Sequence, residues 1–577
     1  MKIALAKHSG FCFGVKNAVA RVVEEINSSD DTILVYGPLI HNPQTVEILE
    51  NRGLKTIHSL DDIKDCSVAV RTHGAPLNEL KIIKESASKI FNLTCPKVAR
   101  VQSTIKTYSA NGCHTIIIGN SGHAEVVGLK SFATNGVTVV SSLEESDNIP
   151  QADKYLLVSQ TTIDRELFDS IVKKLEDKLS NMTVINTICD STENRQNDVH
   201  EAIKKGIDTL IVAGGKNSAN TTMLARIGFA NAIKTFHIET EQELSFEDLK
   251  DSKYALVTAG ASTPGWIINN VLEKLYSMKH KKSNPLFRGI KTLAEFLVRT
   301  NSLSAVFAFF STFFIQSAGI FTAFPSLPLI SALYIFSMYS TNNYFDREFL
   351  KLSNSSKYAI YKKFGNYLMF LSLISLAASF YLVLDYSSVS IILLALSSIF
   401  GFIYFTHPVK RIIDAFKPPF IKKLYGSKIV NVLGWLTVVV IVPSIHFKPD
   451  KSLIFFMTAL ILCIVTERHL IIGNIAYQGD SIFGRVSIPI WLGSKTTIIL
   501  SRVLSAVSAL TCAAAAYQTS SPYLFILLIP VIYYTVLMEI TAKIEYPVSI
   551  IYEILTDLNF IIAACCYVLV MAANNMF

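Results

Sequence analysis

Cys12, Cys95 and Cys189 are the residues of this sequence best placed to do chemistry together. Each stands where an apolar run gives way to small or polar residues, in "KIALAKHSGFCFG", "IFNLTCPK" and "VINTICDS". They are 83 and 94 residues apart, so they read as one thiol from each of three similar α/β units. Three thiolates at a common centre suit an iron–sulfur cluster with one iron left open; a zinc ion is the rival. An open iron passes electrons and acts as a Lewis acid, whereas zinc has no redox chemistry. Cys66 and Cys113 begin apolar runs and read as small core residues. Nine cysteines, odd in number and scattered, argue against a disulfide framework.

The elements that must carry these thiols recur along residues 1–282. The β-branched runs "TILVYG", "SVAVRTHG", "TIIIGNSGH", "YLLVSQTT", "TLIVAGGKNS" and "YALVTAGAST" each end in polar residues, and a helical pattern usually follows. Continuous apolar strands alternating with helices predict mostly parallel sheets covered on both faces. Ligands of such sheets bind beyond the carboxyl ends of the strands, so the polar residues there are candidates for one shared site.

The 577 residues divide sharply in composition: a soluble pattern up to about residue 280, then long apolar runs from about 300 that raise the mean hydropathy to +0.39. The opening "MKIALAKHSG" has an apolar stretch too short for a secretory signal, so the first half is expected in the cytoplasm. A net charge of +8 does not point to nucleic acid, because the basic residues gather near apolar segments, in "MKHKKSNPLFRGIK" (278–291) and "PVKRIIDAFKPPFIKK" (408–423). There they read as topology signals and contacts with membrane lipids.

Nine motifs in order, "GFCFGV", "VYGPLIHNPQTV", "RTHG", "TCPKV", "GNSGHAEVVG", "SQTT", "CDSTENRQ", "GGKNSANTTML" and "TAGASTP", resemble the 4-hydroxy-3-methylbut-2-enyl diphosphate reductases of the LytB/IspH type over residues 1–280. The resemblance implies a three-lobed, pseudo-threefold α/β protein around a [4Fe–4S] cluster held by Cys12, Cys95 and Cys189. It implies the last step of the non-mevalonate isoprenoid route, with ferredoxin or flavodoxin as electron donor. Diphosphate-binding groups fall on His41, His73, His123, Ser218, Asn220 and Ser262, the proton-relay carboxylate on Glu125, and Thr161 close to the substrate hydroxyl. Ala219 departs from the family, which often has serine there, and one hydrogen bond to the diphosphate is expected to be lost. The residue types suit this chemistry: histidines and hydroxyls can cradle an anion, and a carboxyl beside negative charge has a raised pKa. Singly, each motif has a blander reading: a structural histidine, a Glu125 favourable in the first turn of a helix, or a solvated Lys216.

Apolar stretches near 303–322, 326–345, 366–384, 388–407, 429–446, 452–471, 496–516, 521–539 and 555–573 predict an all-α polytopic domain of about nine transmembrane helices. The loops 347–365, 408–428, 472–495 and 540–554 hold five, six, two and one Lys/Arg, while the opposite loops hold only Lys448 and Lys451. This asymmetry predicts a multi-pass protein of the inner (cytoplasmic) membrane with its N-terminal domain in the cytoplasm. "STNNYFDREF" (340–349) and "GDSIFGRVSIPIWLG" (479–493) resemble UbiA-type intramembrane prenyltransferases, a likeness that extends over residues 290–577. That family holds Mg²⁺ on a prenyl diphosphate with two Asp-rich motifs. Here Asp346 and Asp480 remain, whereas Asn343, Leu350, Gly473 and Ala476 stand at acidic positions. Asp346 and Asp480 could share one Mg²⁺, with Lys422 and Lys423 near the diphosphate; the rival is a degenerate fold in which they are capping or ion-pair residues.

The expected organisation is therefore a reductase domain at 1–282, a basic linker at 283–300 lying against the membrane, and a UbiA-like domain at 301–577. The membrane domain is a divergent prenyltransferase or an anchor. Two alternatives for the first half are a cluster-containing redox-sensing or binding module without turnover, and a zinc-bound structural protein.

Overall fold

The structure, a computed structural model, describes residues 1–28, 31–279, 285–317, 325–347, 350–351, 354–405, 429–484, 487–519, 522–544 and 549–574. Lys422 and Lys423 lie outside them. The chain forms two compact units, the first Met1–Lys279 with Ser481–Gly484, the second His280–Asp480 with Arg485–Phe577.

Three four-stranded sheets, parallel throughout, build the first unit. The chain opens with β1 (Lys2–Leu5) and α1 (Phe13–Ser28). Strands β2 (Ile33–Tyr36), β3 (Leu54–Ile57), β4 (Ser67–Val70) and β5 (Lys89–Asn92) then form a sheet in the order β3-β2-β4-β5. Strands β6 (His114–Ile118), β7 (Val137–Val140), β8 (Tyr155–Ser159) and β9 (Met182–Val184) repeat it as β7-β6-β8-β9. Strands β10 (Thr209–Ala213), β11 (Lys234–Ile238) and β12 (Tyr254–Ala259) supply three strands of the remaining sheet, β11-β10-β12-β1. The N-terminal strand thus fills the place that β5 and β9 hold in the other sheets. The three lobes share one topology, and the first strand closes the circle.

Packing explains the unbroken apolar runs. In the sheet β7-β6-β8-β9, Ile117, Leu156 and Val158 pack on one side with Val101 and Ile105 of α4 (Pro96–Ala110) and Val126 and Leu129 of α5 (Ala124–Lys130). Their neighbours Ile116, Ile118 and Leu157 pack on the other side with Phe168, Ile171 and Leu175 of α6 (Arg165–Glu176). Alternate residues of a strand face opposite ways, so a sheet covered on both faces needs apolar residues at every position. The other helices needed below are α2 (Pro43–Glu50), α3 (Leu77–Ser86), α7 (Asp190–Lys204), α8 (Ala219–Ala230), α9 (Phe246–Leu249) and α10 (Gly265–Lys279).

The second unit is helical. Among the described residues, five helices are long and apolar enough to cross a membrane: Ser355–Val383, Val430–Phe447, Lys451–Ile475, Ser494–Gln518 and Leu524–Lys543. A sixth would join Thr292–Arg299 to Ser302–Gln316, which meet at 84°. Other stretches read as spans form the helices Ser326–Phe345, Ser388–Phe405 and Asn559–Asn574. Phe307, Tyr334, Trp435, Val439, Ile464 and Tyr534 belong to the core of this unit. The basic stretch at 283–300 contains a helix, α11 (Pro285–Arg299), followed by α12 (Ser302–Ser317).

Leu157 of β8 is fully buried. Leu157→Ala should destabilise the first unit by about 2–5 kcal/mol, through lost transfer energy and the cavity left behind. Chemical denaturation of wild type and variant checks this.

Candidate active site

Every thiol predicted to act sits at the start of a helix. Cys12 directly precedes α1, Cys95 caps α4, and Cys189 caps α7. Each follows the strand that holds the same place in its sheet: β1, β5 or β9. Each backbone N–H also makes an equivalent bond, Cys12 to the Ala261 carbonyl at 3.0 Å, Cys95 to that of Thr72 at 2.9 Å, and Cys189 to that of Thr161 at 2.9 Å. Those three acceptors lie just past β12, β4 and β8, the third strands in chain order of their lobes. The trio is therefore fixed by one repeated connection, not by three unrelated loops.

The helix starts supply unpaired N–H groups and a partial positive charge, both favourable to sulfur carrying negative charge. Val15 N–H points at Cys12 Sγ from 3.5 Å. Burial pushes the Cys95 and Cys189 thiols up; backbone N–H groups of Lys97 and Val98, and of Ser191 and Thr192, pull them back toward thiolate. Gly14 has to be glycine, because a Cβ there would lie 2.6 Å from Cys95 Sγ.

The same cavity, about 720 Å³ with its open mouth, is lined by every other residue singled out in the first half: His41, His73, His123, Glu125, Thr161, Ser218, Asn220 and Ser262. First-strand exits give His41, His123 and the Ser218–Asn220 pair. Third-strand exits give His73, Thr161 and Ser262. His123 caps α5 and Ser218 caps α8, so two more helix starts face the cavity. Ala219 is the first residue of α8, so its backbone N–H is among those at that helix start without an intrahelical partner.

The histidines form a tight group, with ring centroids 4.6, 5.5 and 5.9 Å apart. Burial lowers the pKa of all three: His123 to about 4, His73 well below its ordinary value, and His41 below it. They are neutral at pH 7. The Glu125 N–H donates to His123 Nδ1 at 3.2 Å, which leaves the proton of the neutral ring on Nε2. Among the described residues, His41 Nε2 and both amide atoms of Asn220 are buried without a partner. Each such group costs about 1–3 kcal/mol unless a ligand satisfies it.

Glu125 is the buried acid of the cavity. Its carboxylate accepts the Thr161 N–H at 2.7 Å and the Thr161 hydroxyl at 2.9 Å. Burial outweighs both bonds and raises its pKa to about 7, where a carboxyl can give up and regain a proton. Ser262 Oγ donates to the His41 carbonyl at 3.1 Å, tying two lobes together at the cavity wall.

One residue quoted in a motif received no role from sequence. Arg195 of α7 is buried and donates to the Gly10 carbonyl at 2.5 Å and the Ser191 carbonyl at 2.6 Å. It holds the turn before Cys12 against the helix after Cys189. The available signal was its place on the Cys189 helix, six residues on.

Asp346 ends the helix Ser326–Phe345 as its C-cap, and Asp480 is buried in the helix Tyr477–Phe483. Among the described residues, neither belongs to a group of three or more close His, Cys, Asp or Glu side chains. Leu350 packs with Tyr361 and Leu368, and a Cβ on Gly473 would meet Pro489 Cγ at 3.1 Å. Two of the positions expected to be acidic thus hold residues that pack closely.

The family described as "LytB protein" matches residues 3–276. The 4-hydroxy-3-methylbut-2-enyl diphosphate reductase of Clostridioides difficile (strain 630) is 40% identical over 281 residues, 48% of this chain and 100% of that protein. A solved (E)-4-hydroxy-3-methyl-but-2-enyl diphosphate reductase is 33% identical, over 48% of this chain and 99% of its own, with a TM-score of 0.39. A UbiA homolog from Archaeoglobus fulgidus, solved bound to GPP and Mg²⁺, is 13% identical over 47% of this chain and 98% of its own, with a TM-score of 0.35.

An anion entering the cavity should raise the pKa of the neutral histidines and draw protons from solvent. Titration calorimetry with pyrophosphate at pH 7, in buffers of different ionisation enthalpy, should record net proton uptake. His41→Phe should reduce it.

Proposed function

The chain belongs, through residues 3–276, to the LytB protein family, and we propose that its first unit is a 4-hydroxy-3-methylbut-2-enyl diphosphate reductase. The observation that carries this reading is the single cavity that joins three helix-start thiols, a protonatable buried Glu125 and unsatisfied anion-binding groups. The reaction takes two electrons and two protons, breaks the allylic C–O bond, and releases water with isopentenyl or dimethylallyl diphosphate. It is the closing step of the non-mevalonate route. A [4Fe–4S] cluster on Cys12, Cys95 and Cys189 would supply the electrons, drawn from ferredoxin or flavodoxin, and a Lewis-acidic iron for the leaving oxygen.

The chain's own groups do the rest. His41, His73, His123, Ser218, Asn220 and Ser262 hold the diphosphate; the unpaired His41 Nε2 and Asn220 amide find partners there. The Thr161 hydroxyl, fixed by Glu125 at 2.9 Å, lies where it can bond the substrate hydroxyl. Glu125 is protonated below about pH 7 and delivers a proton through that contact. The diphosphate, being negative, keeps the acid form populated.

A sensing module without turnover would need the thiols but would not need Glu125 poised near neutrality or the orphaned His41 and Asn220. In the second unit, packing at Leu350 and Gly473 favours a UbiA-like membrane anchor over a working prenyltransferase. Its expected nine spans and positive-inside charge would hold the reductase on the cytoplasmic face of the inner membrane.

Because Glu125 must be protonated to act, kcat/KM should fall about tenfold per pH unit above about 7 and level off below it. Glu125→Gln should bind substrate but lose about 10²–10⁴ in kcat. Steady-state turnover across pH, with wild type and variant, checks both; an unchanged profile in the variant would remove Glu125 from the proton path.

A further inference from the structure

Helix α11 turns an apolar face outward and sets its Glu295–Arg299 ion pair toward the protein. Leu286, Ile290, Leu293 and Phe296 are 73%, 59%, 57% and 46% exposed. Their spacings of four, three and three residues put them on one face. On the opposite side, Glu295 and Arg299 form an ion pair at 3.6 Å with side chains only 17% and 20% exposed. Val298 is buried, and α11 packs against α12 and the helices Ser549–Asp557 and Ser355–Val383. A helix bathed in water would be arranged the other way round. This orientation is stable only where the outer medium is apolar.

Geometry identifies that medium. Thr292–Arg299 meets Ser302–Gln316 at 84°, so a steeply inserted α12 leaves α11 close to the membrane plane. At fifteen residues, α11 is about 22 Å long, too short to cross a hydrocarbon core of about 30 Å. In sequence it follows Lys279, Lys281 and Lys282 and carries Arg288 and Lys291, cations suited to anionic headgroups. We propose that α11 is an interfacial helix that lies in the membrane surface, with Leu286, Ile290, Leu293 and Phe296 sunk into the acyl boundary of one leaflet. It makes the junction before the bundle a lipid contact in its own right, and it stands independently of the reductase reading.

Leu286→Trp, Ile290→Trp and Leu293→Trp, each in the full chain, test this. They are reconstituted in phosphatidylcholine–phosphatidylglycerol vesicles, and the wild-type emission of Trp266, Trp435 and Trp491 is subtracted. The added emission should be blue-shifted. It should fall at least twofold when the phosphatidylcholine is replaced by lipid brominated high on its chains, and change little with acrylamide. Strong acrylamide quenching with red-shifted emission would place the face in water. Quenching by neither agent would place it against protein, whether a second copy or another part of the chain. Either result overturns the proposal.

Discussion

Negative charge held inside protein is the constraint around which the first unit is arranged. Thiolates and a diphosphate in one cavity would each be costly to bury alone. The fold answers with helix starts: α1, α4 and α7 behind the thiols, α5 and α8 behind His123 and Ser218. Each offers N–H donors that have no intrahelical partner and a partial positive charge aimed at the same space. Neutral histidines add to this without putting fixed cations into an empty cavity, and they can take up charge when an anion arrives.

Threefold repetition makes that convergence possible. One connection, from a third-strand carbonyl to a cysteine N–H, occurs at Ala261–Cys12, Thr72–Cys95 and Thr161–Cys189. Repeating a lobe repeats its helix start, so three lobes facing one axis deliver three thiols. The polar side chains break the symmetry where the chemistry does: His73, Thr161 and Ser262 leave third strands, and only the lobe of β6 carries an acid like Glu125. Arg195 and Ser262 then tie neighbouring lobes together at the cavity wall.

Much of this was legible in the sequence, because strand-exit position is a local signal. Runs such as "TIIIGNSGH" mark both a two-sided strand and the polar residue beyond it, and all eleven residues singled out in the first half line one cavity. The completion of the β10–β12 sheet by β1 was not legible, since parallel pairing between residues 2–5 and 254–257 leaves no mark in either segment alone. Arg195 was equally hidden: its contact with the turn before Cys12 is to the Gly10 carbonyl, and a backbone carbonyl has no residue identity. That Leu350 and Gly473 stand where the resemblance expects acids was visible, but what they pack against was not. Only the structure shows Pro489 against Gly473 and Leu350 in a small core of its own. The basic linker was read by charge, and the outward apolar face of α11 emerged only with side-chain exposure.

The most direct test of the first unit's chemistry is anaerobic. The full chain, purified without oxygen in detergent, is mixed with reduced methyl viologen, and the blue colour is followed as 4-hydroxy-3-methylbut-2-enyl diphosphate is added. A brown protein that bleaches the dye at two electrons per substrate, and a Cys95→Ser variant that does not, is the expected result. A brown wild-type protein that leaves the dye untouched would contradict the reductase and favour a sensing role for the same thiols. A colourless protein after cluster reconstitution would contradict the cluster itself.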